Sequence, residues 1–245
     1  MDASLYQQMR ELEDRHWWFR GRRAIVVSQL QTSHLPKQAK ILDLGCGTGG
    51  NLAMLSQFGD VIGAELDEQA AIMARERGVA PVVRGKLPDA LPLSASSFDC
   101  VTLLDVLEHI VDDRSTLMAV NKLLVPDGRV LITVPAFPFL WGPHDEAHHH
   151  QRRYRAKPLA ALLRDTGFEV IKLSYCNTWL FPPAAAVRLV RKVFPKGNAG
   201  TELALPPAPL NAMLAMLFAS ERHLLRHMTL PFGISLLAVA KKLPE

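Results

Sequence analysis

Cysteine is scarce in this chain. Only three of 245 residues are cysteine, Cys46, Cys100 and Cys176. They are far apart, odd in number and form no CxxC pair. A disulfide framework and a zinc-ribbon spacing are therefore excluded, and a reducing, cytoplasmic setting is expected. Long hydrophobic runs are absent too. The longest uninterrupted stretches, such as residues 212–219, fall well short of the roughly 18 residues a membrane span needs. The opening segment MDASLYQQMRELEDRHWWFR is polar and charged, unlike a secretory leader. Neither sign of charge dominates: 28 Lys and Arg face 24 Asp and Glu, for a net charge of +4. The basic residues are scattered, as in Arg20, Arg22 and Arg23, then Arg152, Arg153 and Arg155, then Arg188, Arg191 and Lys192. Such small groups read as solvated surface or, more sharply, as contacts for phosphate or anionic lipid. A nucleic-acid partner is not expected.

Apolar residues make up 49% and charged residues 21%, enough for a packed core. Residues 4–31 carry Leu5, Met9, Leu12, Ile25, Val26 and Leu30 at helical spacing, interrupted by the aromatic knot His16-Trp17-Trp18-Phe19. From Lys40 onward, strands alternate with helices. Strands are predicted over residues 40–44, 60–65, 80–83, 98–104 and 129–134. The intervening helices are predicted over 51–58, 68–77 and 114–124. That alternation means parallel βαβ units and a doubly wound α/β sheet. After it come a His- and Arg-rich loop over 135–157, a helix over 159–166, a strand over 168–175 and a final strand over 234–241. A Pro-punctuated, largely helical stretch, residues 182–230, separates those last two strands.

The glycine turn carries the main chemical signal. Ile41-Leu42-Asp43-Leu44 runs into Gly45-Cys46-Gly47-Thr48-Gly49-Gly50 at a strand-to-helix turn. Glycines there let a ligand approach the backbone, and a helix N-terminus adds free N–H groups. Gly45, Gly47 and Gly50 also satisfy the dinucleotide pattern, so an NAD-dependent oxidoreductase is a competing reading. Asp43 weighs against it. A carboxylate at the strand's carboxyl end would repel a pyrophosphate but suits an ammonium or sulfonium. Glu65 ends the second strand, about 20 residues beyond Gly45, where a carboxylate accepts ribose hydroxyls from either cofactor.

Taken together, residues 40–135 resemble the class I S-adenosylmethionine (SAM) methyltransferases, especially the ubiquinone-type and small-molecule branch. The resemblance rests on Asp43, Gly45, Gly47 and Gly49; on Glu65; on Leu91-Pro92 before Phe98-Asp99; on Asp105, Glu108 and His109; and on the turn Leu124-Val125-Pro126-Asp127-Gly128. It implies a Rossmann-like, seven-stranded methyltransferase sheet and SAM as cofactor. Asp43 and the glycine backbone would face the amino acid end and Glu65 the ribose. Leu66, Lys86, Leu87 and Asp105 complete the expected cofactor set, with Cys46 in the turn and Trp18 from the N-terminal cover. Many relatives carry an acidic residue where this chain has Lys86, which cannot accept from the adenine amino group. The N-terminal run Tyr6, Leu12-Glu13 and His16 to Arg23 also looks like a subgroup found beside glycosyltransferases or lipid-modifying enzymes, where this segment covers the cofactor.

Methyl transfer to a hydroxyl needs a positioned base, and His is the natural one near neutral pH. His109 follows the fourth strand. His144, His148, His149 and His150 follow the fifth, with Tyr154 close behind. These six are the catalytic candidates. Arg152 and Arg153 could hold a substrate anion or pair with Asp145 and Glu146. The His spacing matches no zinc motif, so no metal is expected. The chain thus reads as an O-methyltransferase for a small or lipid-like hydrophobic acceptor. A SAM-fold protein that binds cofactor as a non-catalytic partner is the alternative.

Four segments are expected: an N-terminal helical cover (1–36), a SAM-binding core (37–181), a helical insertion (182–230) and a final core strand (231–245). In the insertion, Leu210, Met213, Leu214, Leu217, Phe218, Leu224, Leu225 and Met228 are expected to share one face. That face would pack on the core, close over the acceptor as a lid, or lie on a membrane surface.

Overall fold

A computed structural model describes residues 3–88, 91–193 and 204–244. Seven strands form one sheet: β1 (Ala39–Leu44), β2 (Gly59–Glu65), β3 (Val82–Arg84), β4 (Phe98–Leu104), β5 (Leu124–Pro135), β6 (Phe168–Cys176) and β7 (Ser235–Lys242). Their order is β3-β2-β1-β4-β5-β7-β6. The first five are parallel, and β7 runs antiparallel between β5 and β6. β1 has β2 on one side and β4 on the other, so the chain reverses its winding there. Such a switch point opens a crevice at the carboxyl ends of the two strands.

Central strands are apolar throughout because both of their faces are covered. Successive residues feed opposite cores. Leu42, Val101 and Ile132 join Leu117, Val120, Leu159 and Leu163 on one face. Ile41, Cys100 and Leu131 join Ile25, Val26, Leu30, Phe218 and Leu225 on the other. The helices of the first face are α5 (Asp113–Leu123) and α7 (Ala156–Asp165). Those of the second are α2 (Trp17–Gln31) and α9 (Ala208–Leu225). α1 (Ala3–Leu12), α3 (Leu52–Leu55), α4 (Glu68–Glu76), α6 (Pro143–Ala147) and α8 (Phe181–Val193) complete the described helices.

Two expectations need correction. The predicted helix over 51–58 shortens to the single turn of α3. In α9, the face turned inward is Asn211, Ala215, Phe218, Glu221 and Leu225. Phe218 and Leu225 from the predicted stripe are buried, but Leu210, Met213, Leu217 and Met228 are exposed. Polar residues win the inner face because they satisfy orphan backbone groups. Asn211 Oδ1 accepts from Trp17 N at 2.8 Å, and Asn211 Nδ2 donates to Arg15 O at 2.9 Å. The Glu221 carboxylate accepts the N–H groups of Asn177, Thr178 and Trp179 at 2.6–3.0 Å. Gly21 lets Phe218 lie directly against α2, where a Cβ would collide with the ring. Within the stretch predicted as largely helical, residues 194–203 and the side chains of Arg191 and Lys192 lie outside the described residues.

Candidate active site

A cavity of about 1420 Å³ opens over the switch point. Its floor is the glycine turn. Gly45, Gly47 and Gly49 all have positive φ, and Gly47 has open space where a Cβ would stand. Gly45 and Gly47 line the cavity, as do Glu65, Leu66, Lys86, Leu87, Asp105 and Trp18. Glu65 is fixed by its own surroundings: Oε2 accepts from Gly47 N at 2.9 Å, and Oε1 from Leu66 N at 2.8 Å and Asp67 N at 2.9 Å. Asp43 lies just beneath the floor, fully buried. Its Oδ1 accepts from Thr102 Oγ1 at 2.6 Å, while Oδ2 has no partner. Burial raises this carboxyl to about 6, against the pull of the Thr102 hydroxyl and the Arg22 charge. An unpartnered buried carboxylate oxygen beside an open glycine floor fits a cationic ligand such as the SAM ammonium.

Three residues of the predicted cofactor set, Asp43, Cys46 and Gly49, do not themselves line the cavity. Cys46 has its thiol packed in the core and its N–H spent on Ala64 O. Gly49 does not line the cavity; it abuts Ala74 and Arg77 of the neighbouring helix region.

The N-terminal helices cover the cofactor side. Thr48 Oγ1 and Arg77 both donate to Glu13, and Arg77 also reaches Asp14 at 3.1 Å. Arg22 pairs with Asp105 and lies 4.7 Å over the Trp18 ring. Asp105 therefore already has a cationic partner. Tyr6 lines the cavity, its hydroxyl pushed up by burial and by the nearby Glu65 and Asp67 charges.

On the opposite side, His109, His144, His148 and His150 converge from two loops. His109 and His150 meet edge to face at 4.7 Å between ring centres, and His144 and His148 at 4.0 Å. Burial, and then the neighbouring imidazoles, press His109 and His144 down to about 3, so both are neutral at ordinary pH. Asp145, wholly buried in α6, organises the loop. It accepts from Arg153 Nε at 2.7 Å and Nη2 at 2.9 Å, and its Oδ1 lies 2.8 Å from His150 Nδ1. Burial opposes its ionisation, but the His150 and Arg153 contacts outweigh that and hold it well below the carboxylate range.

His149 and Tyr154 drop out of the catalytic set. His149 is exposed and outside the cavity lining. Tyr154 is buried, its hydroxyl donating to Asp113 Oδ2 at 2.9 Å. Arg152 and Arg153 pair with Asp113 and Asp145.

Sequence reasoning missed Asn177. Its side chain is buried in the cavity wall, and neither amide atom has a partner. No local motif marks it; only the return of β6 to the crevice brings it there. Leu180, just before the insertion, and Val187 and Leu214 within it add an apolar wall.

Comparison with known proteins agrees with this geometry. A family model for the methyltransferase domain matches residues 15–173. A Mycolicibacterium smegmatis protein named a probable S-adenosylmethionine-dependent methyltransferase is 31% identical over 163 residues, 65% of this chain and 62% of its own. A ubiquinone biosynthesis O-methyltransferase of Xanthomonas axonopodis is 30% identical over 158 residues, 57% of this chain and 66% of its own. The match thus spans just under two thirds of these relatives' lengths. Among solved structures, a chain in the complex of the Haloferax volcanii Trm112 methyltransferase activator superposes with a TM-score of 0.65 at 19% identity, covering 99% of this chain and 96% of that one. A SAM-dependent methyltransferase of Mesorhizobium loti gives 0.55 at 20% identity, covering 87% and 96%. These structural likenesses concern the fold, and the family match favours the SAM reading of the glycine turn over the dinucleotide one. The chain belongs to the methyltransferase-domain family, in the class I group whose members use S-adenosylmethionine.

Proposed function

We propose that this chain is a SAM-dependent methyltransferase acting on a hydroxyl oxygen of a small or lipid-like apolar acceptor. One observation carries the reading: a single cavity joins the glycine floor and Glu65, with Asp43 buried beneath, to a group of imidazoles and an apolar wall. SAM supplies a methyl group made electrophilic by its sulfonium. The residues of the chain do the rest. Asp43 and the glycine backbone would hold the amino acid end, and Glu65 the ribose. Lys86 and Leu87 would border the adenine, with Leu87 serving through its backbone and apolar contact. The N-terminal cover shields this side from water.

On the acceptor side, His148 is the best-prepared base. Its Nδ1 lies 2.9 Å from the His144 carbonyl, which can only accept, so the proton sits on Nδ1 and Nε2 keeps its lone pair. That imidazole would take the hydroxyl proton. Asn177 would orient the acceptor through its free amide. Relatives named for O-methylation in ubiquinone biosynthesis support oxygen as the accepting atom. Exposed apolar side chains on α8 (Val187, Leu189, Val190) and α9 (Leu210, Met213, Met216, Leu217) support contact with a lipid surface. Among the described residues, no helix is long and apolar enough to cross a membrane.

The test is calorimetric titration with SAM, followed by mass spectrometry of a cell extract incubated with isotopically labelled SAM. Stoichiometric binding and a labelled apolar product support the reading. Binding without any labelled product would favour the non-catalytic partner, and no binding would remove the cofactor assignment.

A further inference from the structure

Glu108 stands out among the buried groups of the cavity. It is 1% exposed, lies in the 3₁₀ turn Leu107–His109, and its Oε2 has no hydrogen-bond partner. An unpaired carboxyl oxygen in such a place costs free energy unless a ligand satisfies it. Two imidazoles stand beside it. The ligand-bearing atoms of Glu108, His109 and His150 all lie within 4.8 Å of one another.

The His150 imidazole is set in advance to offer a lone pair. His150 Nδ1 is held by Asp145 Oδ1 at 2.8 Å, which leaves Nε2 free. The His109 ring meets the His150 ring edge to face at 4.7 Å between centres. A carboxylate or carbonyl fixing the far side of a histidine is the usual support for a metal-bound imidazole.

We propose that Glu108, His109 and His150 bind one divalent transition-metal ion, zinc in the first place, with its open coordination positions facing the acceptor side of the cavity. Two imidazole nitrogens and one carboxylate oxygen suit zinc better than calcium or magnesium. Bonds of about 2.0–2.2 Å require these donors to close inward by side-chain rotation. Three protein ligands facing a cavity leave room for a water or a hydroxyl. Such an oxygen releases its proton nearer neutral pH than in bulk water. Resting on the methyltransferase reading, the ion would hold the acceptor's hydroxyl oxygen, and the displaced proton would pass to His148. The sequence spacing gave no hint of this site, because Glu108 and His109 sit after β4 and His150 follows α6.

The experiment uses tag-free full chain stripped of metal by dialysis. Titration with cobalt(II), followed by its visible ligand-field absorption, should show one ion per chain with micromolar or tighter affinity, displaced by zinc. Glu108→Gln and His150→Gln should each weaken binding at least about tenfold, and Asp145→Asn about 10–100-fold through His150. His149→Gln, outside the cavity, should bind as the unaltered protein does. Circular dichroism and SAM titration on the same samples verify that each variant is folded. No stoichiometric cobalt binding, or binding that persists in both Glu108→Gln and His150→Gln, would overturn the site. Binding lost in His149→Gln instead would mean capture by surface histidine and would also overturn it. Failure of the unaltered protein to bind SAM, with metal binding intact, would count against the methyltransferase reading alone.

Discussion

At Asp43, the needs of the ligand and of the fold pull in opposite directions. Its folded pKa of about 6 lies above the ordinary value for an aspartate. The folded state therefore binds the proton more tightly than the unfolded chain. That stabilising contribution is complete below about pH 4 and is lost as pH rises through about 6. Near neutral pH the ionised carboxylate opposes folding by about 3 kcal/mol. Asp43→Asn should thus raise the stability of the ligand-free protein by about 2–3 kcal/mol in denaturant unfolding at neutral pH. It should also weaken SAM at least tenfold, the loss of a charged partner worth about 1.5–3 kcal/mol. In the unaltered protein, SAM affinity should fall between about pH 7 and about pH 5 as Asp43 takes up its proton. Flat affinity over that range would separate Asp43 from the bound cation. At this scale the sequence was partly legible. Asp43 announces itself near the end of a strand just before the glycine turn, and Glu65 by ending the next strand. Cys46 misleads, because the turn's sequence does not say which of its residues faces the cavity.

Among the elements, α9 and the N-terminal cover deserve separate tests. Phe218 fills the space above Gly21, so Phe218→Ala should cost about 3–5 kcal/mol in chemical denaturation. Asn211→Ala leaves the buried Trp17 N–H at the start of α2 without its acceptor and should cost about 1 kcal/mol. If the exposed stripe of Leu210, Met213 and Leu217 were the packing face, Leu217→Ala would be the more damaging of the three. The cover is tied to the core through Glu13, which accepts from Thr48 and Arg77. Glu13→Ala should speed protease cleavage between α1 and α2 and hasten SAM release in stopped-flow measurements. Equal cleavage with and without the substitution would show that the cover is held by its aromatic packing instead. Hydrophobic spacing placed the helices here but chose the wrong face of α9. Periodicity counts apolar residues and does not see that Asn211 and Glu221 are drawn inward by unpaired backbone N–H and C=O groups.

For the whole molecule, the question is where the cavity meets its acceptor. Met216 is 68% exposed and Val190 58%, on the two helices of the insertion. Val187 and Arg188 of the same α8 line the cavity, so this outer surface and the acceptor side belong to one element. Flotation with liposomes should carry the protein upward, more with anionic lipid than neutral lipid. Met216→Glu together with Val190→Glu should abolish it while SAM binding persists. Absence of flotation with both lipids would make the insertion a lid for a soluble acceptor.

The sequence by itself determined the alternation of strands and helices, the glycine turn and its two carboxylates, and the His-rich loop. All of these are local: a strand's apolar run, a positive-φ glycine or a capping residue acts within a few positions of itself. Only the tertiary structure decided which parts meet. It set β7 between β5 and β6, brought Asn177 to the cavity wall, and chose the polar inner face of α9. It also placed Glu108 and His109 beside His150, while Asp145 turned His150 inward and left His149 in solvent. Those choices depend on which buried groups find partners across the chain, and that balance is struck only when the whole core closes.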